Sequence, residues 1–140
     1  MKHLLMILLL GLSISFTANA EQKKQLGDWH VHYIAFPAPM LTPEIAQHYG
    51  LQRSKYNAII NISVLDDDTQ QAQKVSVSGV AKNLLGQQIP LDFKQVTEGD
   101  AVYYLAQLSF QHKQQFNFTI DITQGDATEQ LTFEQTFYVD

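Results

Sequence analysis

Cysteine is absent from all 140 residues, which excludes a disulfide scaffold, a thiolate metal centre and a cysteine nucleophile. Arginine occurs once, at Arg53, and 9 basic side chains face 14 acidic ones. A net charge of −5 leaves no basic footprint for a phosphate backbone, so nucleic acid is not an expected partner. Glycine is sparse. The glycines after residue 20 stand at 27, 50, 79, 86, 99 and 125, never closer than seven positions. That spacing excludes a phosphate-cradling glycine loop and a G-x-S-x-G elbow. No H-E-x-x-H occurs, and no Ser, His and Asp spacing nominates a triad, so the chain reads as a non-enzyme. No long apolar run follows residue 20, and no transmembrane segment is expected there.

The one long apolar run stands at the start. Lys2 and His3 precede Leu4–Leu12, and the stretch closes at Ala18-Asn19-Ala20. A basic beginning, an apolar core too short to span a bilayer and an A-x-A site are the grammar of a secretory signal peptide. The reading is residues 1–20 as signal, cleavage after Ala20, a periplasmic location, and a single domain over residues 21–140.

After Gly27 the apolar residues alternate. Trp29, Val31 and Tyr33 form one row and Ala58, Ile60, Ile62 and Val64 the next. Val75 and Val77, then Ile89, Leu91 and Phe93, then Val102 to Phe110 follow. Phe116 to Ile122, and Leu131 to Val139, complete seven rows. Period-two alternation signals antiparallel strands with one face buried and one wet. Turn residues at 66–68, 83–86, 98–100 and 124–126 separate the rows. The expected fold is all-β, an immunoglobulin-like antiparallel sandwich of about seven strands. Pro90 cannot donate to a ladder and marks an edge or the beginning of a strand.

One segment departs from this pattern. Thr42 can cap a helix, Pro43 suits its first position, Glu44 complements its positive end, and Gly50 can stop it. This short helix is inserted between the first two rows, where about twenty residues stand in place of the usual few. Such an insertion either carries binding or, through Ile45, Ala46, Tyr49 and Leu51, plugs an open end of the sandwich.

Gly27–Phe36 (GDWHVHYIAF) and Leu41–Leu65 (LTPEIAQHYGLQRSKYNAIINISVL) resemble the domain-of-unknown-function 4426 family of exported proteobacterial proteins. The resemblance implies an exported β-rich domain of immunoglobulin-like type. It brings no activity, cofactor or catalytic residue.

The residues themselves suggest two sites. Asp28, His30 and His32 stand at i, i+2 and i+4, which on a regular strand turns all three to one face. His30 and His32, ~6–7 Å apart, suit Zn²⁺ or Cu²⁺ with help from another strand, although ordinary sheet-face histidines look the same. Around the lone arginine, Tyr49, Arg53, Ser54 and Tyr56 make a candidate seat for a small anion. The competing role for Arg53 is to tie down the free carbonyls of the insertion. Asp66-Asp67-Asp68 lacks the spacing of a calcium loop and reads as a solvated turn. The expected function is a binding or interaction module for an envelope protein or component, through its exposed sheet edges. Metal or small-anion binding is the alternative, and no cofactor is otherwise expected.

Overall fold

The computed structural model describes residues 21–139. Residues 1–20, where a signal peptide and its cleavage point are expected, lie outside them. Among the described residues nine strands form: β1 (Gln22–Leu26), β2 (Trp29–Pro37), β3 (Asn57–Asp66), β4 (Ser76–Asn83), β5 (Gln88–Leu91), β6 (Lys94–Glu98), β7 (Ala101–Ser109), β8 (Gln114–Gln124) and β9 (Ala127–Phe137). One sheet runs β1-β2-β3-β7-β6 and the other β5-β4-β8-β9, and every pairing is antiparallel. No helix among the described residues is long and apolar enough to cross a membrane.

The alternating rows supply the inner faces. Val31, Ile60, Ile62 and Val64 from one sheet meet Phe116, Phe118, Ile120, Ile122 and Leu131 from the other, all essentially without solvent contact. Aromatic pairs fill the space between the sheets: Phe133 stacks on Phe118 at 4.6 Å and meets Tyr33 at 4.7 Å. Burying a side chain of this size stabilises by about 1.5–3 kcal/mol, so this interior dominates the folding free energy. Tyr104 keeps its hydroxyl satisfied by accepting from the Val75 amide at 2.7 Å. Along one side, Lys24 Nζ donates to the Thr132 carbonyl at 2.7 Å and Gln135 Nε2 to that of Ala35 at 2.6 Å.

Nine strands replace the seven expected, for two reasons. β1 is polar and exposed (QKKQL), so its pairing with β2 leaves no apolar row to read. The Ile89–Leu91–Phe93 row breaks after Leu91, where the chain leaves one sheet for the other and begins β6. Pro90 does lie on an edge strand, β5. Asp28 is not on the strand with His30 and His32, because Gly27, at φ +58°, and Asp28 make the tight β1–β2 turn.

The helix forms as its signals dictate. α1 (Pro43–Tyr49) has Thr42 Oγ1 accepting from the Ile45 amide at 3.2 Å and ends at Gly50 in the left-handed region. Its location differs from an end plug. It lies on the outer face of the five-stranded sheet, where Ala38, Ile59, Val96 and Leu105 form a second apolar cluster with Phe36, Leu41, Tyr49 and Leu51. This is why β3 is buried on both faces from Asn57 to Ile60.

Candidate functional site

The helix covers only part of that outer face. Beyond its tip, the outward side chains of three neighbouring strands are left uncovered: His32 and Ile34 on β2, Asn61 and Ser63 on β3, Ala101 and Tyr103 on β7. With Glu21, Gln70 and Asp100 on the rim they line a groove of about 380 Å³. Asn61 and Tyr103 also line a smaller apolar cavity of about 140 Å³ beneath α1, so they form the divide between groove and insertion.

Two polar atoms in this groove have neither solvent nor a partner, His32 Nε2 and Asn61 Oδ1. A buried polar group without a hydrogen bond costs about 1–3 kcal/mol, and folded proteins hold few of them. Glu21 Oε1 sits 2.7 Å from His32 Nδ1, so the carboxylate accepts from Nδ1–H. In the neutral ring that leaves Nε2 as a bare lone pair. The groove is therefore lined by two residues that each hold back an unsatisfied acceptor, and it is rimmed by Glu21 and Asp100 beside the apolar Ile34, Leu65 and Ala72. It suits a group rich in N–H donors or a cation.

His30, on the same face of β2, is engaged separately: its Nδ1 lies 3.1 Å from Gln70 Nε2. The only set of three metal-ligating side chains converging within 4.8 Å among the described residues is Asp66, Asp67 and Asp68, so His30 and His32 are not part of one. Asp66 Oδ1 caps its own turn, accepting from the amides of Asp68 and Thr69 at 2.9 and 3.0 Å. Those bonds hold its carboxyl below the usual carboxylate range. Asp67 accepts from Gln25 Nε2 at 2.9 Å. The triplet organises a turn.

The residues around the arginine do not converge on one cavity. Arg53 donates from Nε to the Leu41 carbonyl at 2.8 Å and from Nη2 to that of Pro39 at 3.3 Å. Tyr49 turns its hydroxyl to Glu98 on β6, which accepts from it. That bond, then desolvation and the nearby charge of Glu98, raises the Tyr49 pKa. Ser54 Oγ accepts from the Tyr56 amide at 3.2 Å, while the exposed Tyr56 ring carries Lys55 Nζ 5.3 Å from its centroid. Glu21, Asn61 and Asp100 did not stand out in the sequence. Asn61 alone left a trace there, as the one polar residue in the run Ile59-Ile60-Asn61-Ile62.

Comparison with known proteins places this geometry. A family model described as domain of unknown function (DUF4426) matches residues 23–140. A crystal structure of a DUF4426 family protein from Pseudomonas aeruginosa PAO1 is 34% identical, covering 86% of this chain and 96% of that one, with a TM-score of 0.75. Two structures of FetP from uropathogenic Escherichia coli strain F11 share the fold. A copper-bound variant is 11% identical over 84% of this chain and 95% of its own, with a TM-score of 0.58. The protein as isolated is 10% identical over 85% and 94%, also at 0.58. No curated protein matches by sequence. The family model spans strands of both sheets and α1, and the chain belongs to the DUF4426 family.

Proposed function

We propose that this protein is a small exported binding module, without catalysis of its own, that takes an envelope component into the outer-face groove of the five-stranded sheet. One observation carries this reading: His32 and Asn61 line the same cavity, and each keeps a polar atom, Nε2 and Oδ1, shut off from water and unpartnered. A fold tolerates two such costs in one place when a ligand satisfies them in the bound state. The signal-like pattern over residues 1–20 supports export, and intact mass of envelope-derived protein should then begin at Glu21. The groove reading is tested by capture of envelope components on immobilised protein. Ser63→Trp, which fills the groove from its floor, should lose what the wild type captures; equal capture by both would refute the groove as the seat.

A metal reading follows from one contact. A carboxylate on histidine Nδ1–H that leaves Nε2 free is the arrangement that orients metal-bound histidines. FetP, a fold neighbour, has been crystallised with copper. Calorimetry with Zn²⁺ and Cu²⁺ decides this. A site at His32 should vanish in His32→Ala. Binding that persists in His32→Ala would place the metal elsewhere.

A further inference from the structure

The two ends of the sandwich differ in charge and in apolarity. The turns at 27–28, 67–75, 99–100 and 125–126 gather at one end, as the strand register requires, and carry Asp28, Asp67, Asp68, Asp100 and Asp126 against the single cation Lys74. The opposite end is built from residues 38–42, 52–56, 84–87, 110–113 and 138–139. These segments hold Arg53, Lys55 and Lys113 and no carboxylate, in a chain of net charge −5. Along the chain, Glu44 on α1 and Glu134 within β9 flank these segments, and Asp140, which follows Val139, lies outside the described residues.

The same end exposes most of the large apolar side chains that the fold does not bury. Leu84 and Leu85, at the tip of the β4–β5 hairpin, are 74% and 93% exposed, and Met40, Tyr56 and Tyr138 are each more than half exposed. They make one surface. A hollow lined by Met40, Lys55 and Tyr138 adjoins another lined by Leu84, Leu85 and Lys113. The rings of Tyr138 and His112, 6.0 Å apart, join the two. The hairpin tip needs its sequence for folding only in part. Asn83 Oδ1 accepts from the Leu85 and Gln87 amides, so Asn83 shapes the turn while both leucines are spare.

We propose that this end docks on an anionic lipid surface, with Leu84 and Leu85 entering the acyl boundary, Tyr56 and Tyr138 at headgroup level, and Arg53, Lys55 and Lys113 over the lipid phosphates. Amphipathic aromatic rings settle at the membrane interface, cations are drawn to an anionic leaflet within a Debye length, and a leucine gains by leaving water. The charge asymmetry selects this occupant: the five carboxylates of the far end are held away from the lipid, so the molecule approaches with its axis along the bilayer normal. Docked in this way, the groove beside His32 stays open to solvent on the flank of the sandwich. The inference does not depend on the groove's ligand.

The test is vesicle co-sedimentation of the chain from Glu21 onward, which contains both complete sheets, on phosphatidylglycerol–phosphatidylcholine and on phosphatidylcholine alone. Binding is expected on the anionic vesicles only, falling as salt screens it. Leu84→Ser/Leu85→Ser should weaken it at least about tenfold, and Lys55→Gln/Lys113→Gln should remove most of its salt dependence. Circular dichroism melts of both variants should match wild type, since neither pair contributes to the core. Absence of binding to anionic vesicles at low salt overturns the proposal, as does equal binding by the leucine variant. A reversible dimer abolished by Leu84→Ser/Leu85→Ser, without vesicle binding, would assign the surface to a second copy and also overturn it.

Discussion

Arg53 Nε donates to the carbonyl of Leu41 at 2.8 Å, so the one arginine of the chain closes the inserted segment on itself around α1. With its second bond, to Pro39, the guanidinium takes up two loop carbonyls that the helix leaves outside its own ladder. Arg53→Ala should therefore destabilise by about 1 kcal/mol, toward the low end for charged hydrogen bonds because the side chain is exposed. Urea melts of both proteins measure this. A loss below about 0.5 kcal/mol, the ordinary scatter of surface changes, would mean that the strap holds nothing.

Asn61 makes the opposite demand. Replacing it with Leu removes an unpartnered buried carbonyl oxygen and adds apolar contact beside Tyr103 and the cavity under α1. The variant should be more stable than wild type by about 1 kcal/mol while losing capture of the groove ligand. A destabilised Asn61→Leu would show that the side chain serves the fold.

Tyr104 joins the sheets to the loop before β4. Its hydroxyl oxygen accepts from the Val75 amide, and the hydroxyl donates to the Gln73 carbonyl at 3.3 Å. Tyr104→Phe strands the half-buried Val75 amide without changing the packed ring, and should cost about 1–3 kcal/mol. Hydrogen exchange should also quicken at Val75 ahead of global unfolding. Unchanged exchange there would contradict the role assigned to the hydroxyl.

Gly79 is required by close approach rather than by a turn. A Cβ there would lie 2.7 Å from the Thr119 carbonyl oxygen and 3.1 Å from Ile120 Cα, both on the neighbouring backbone. Backbone yields less readily than a side-chain tip, so Gly79→Ala should cost about 1–3 kcal/mol despite the better strand propensity of alanine. A neutral result in thermal melts would refute the steric account.

The Tyr49–Glu98 bond sets a pH dependence at the alkaline side. Because Glu98 accepts from the phenol, the folded state holds the Tyr49 proton more tightly than the unfolded chain does. A raised pKa contributes stability that is fully present below the unfolded tyrosine value, about 10, and is lost as pH rises through the folded one. Wild type should lose stability above about pH 10 more steeply than Tyr49→Phe, in melts across that range. Parallel slopes would mean that the bond does not form in solution.

The strands whose apolar residues alternate announce themselves, because a period of two turns every second side chain to the core whatever the partner strand is. The helix likewise carries its own cap, first-turn proline and glycine stop, all local in the chain. β1 carries no such record: its residues are polar, and only the hydrogen bonds offered by β2 make it a strand. Ile89, Leu91 and Phe93 read as one row because the switch of sheets after Leu91 is a property of the sandwich as a whole.

The sites divide in the same way. His30 and His32 were visible as a pair because strand geometry alone puts them on one face, and Arg53 because it is single. That Glu21 would reach His32, that Asn61 and Asp100 would line the same groove, and that the helix would cover only part of this face depended on register and sheet order. Those are long-range choices, made where β2, β3 and β7 come together. The amino-acid sequence determined composition, alternation and local caps, since each acts within a few residues. The tertiary structure decided the groove and the charged and apolar ends, since each is a meeting of segments far apart in the chain whose position follows from the burial of the core they share.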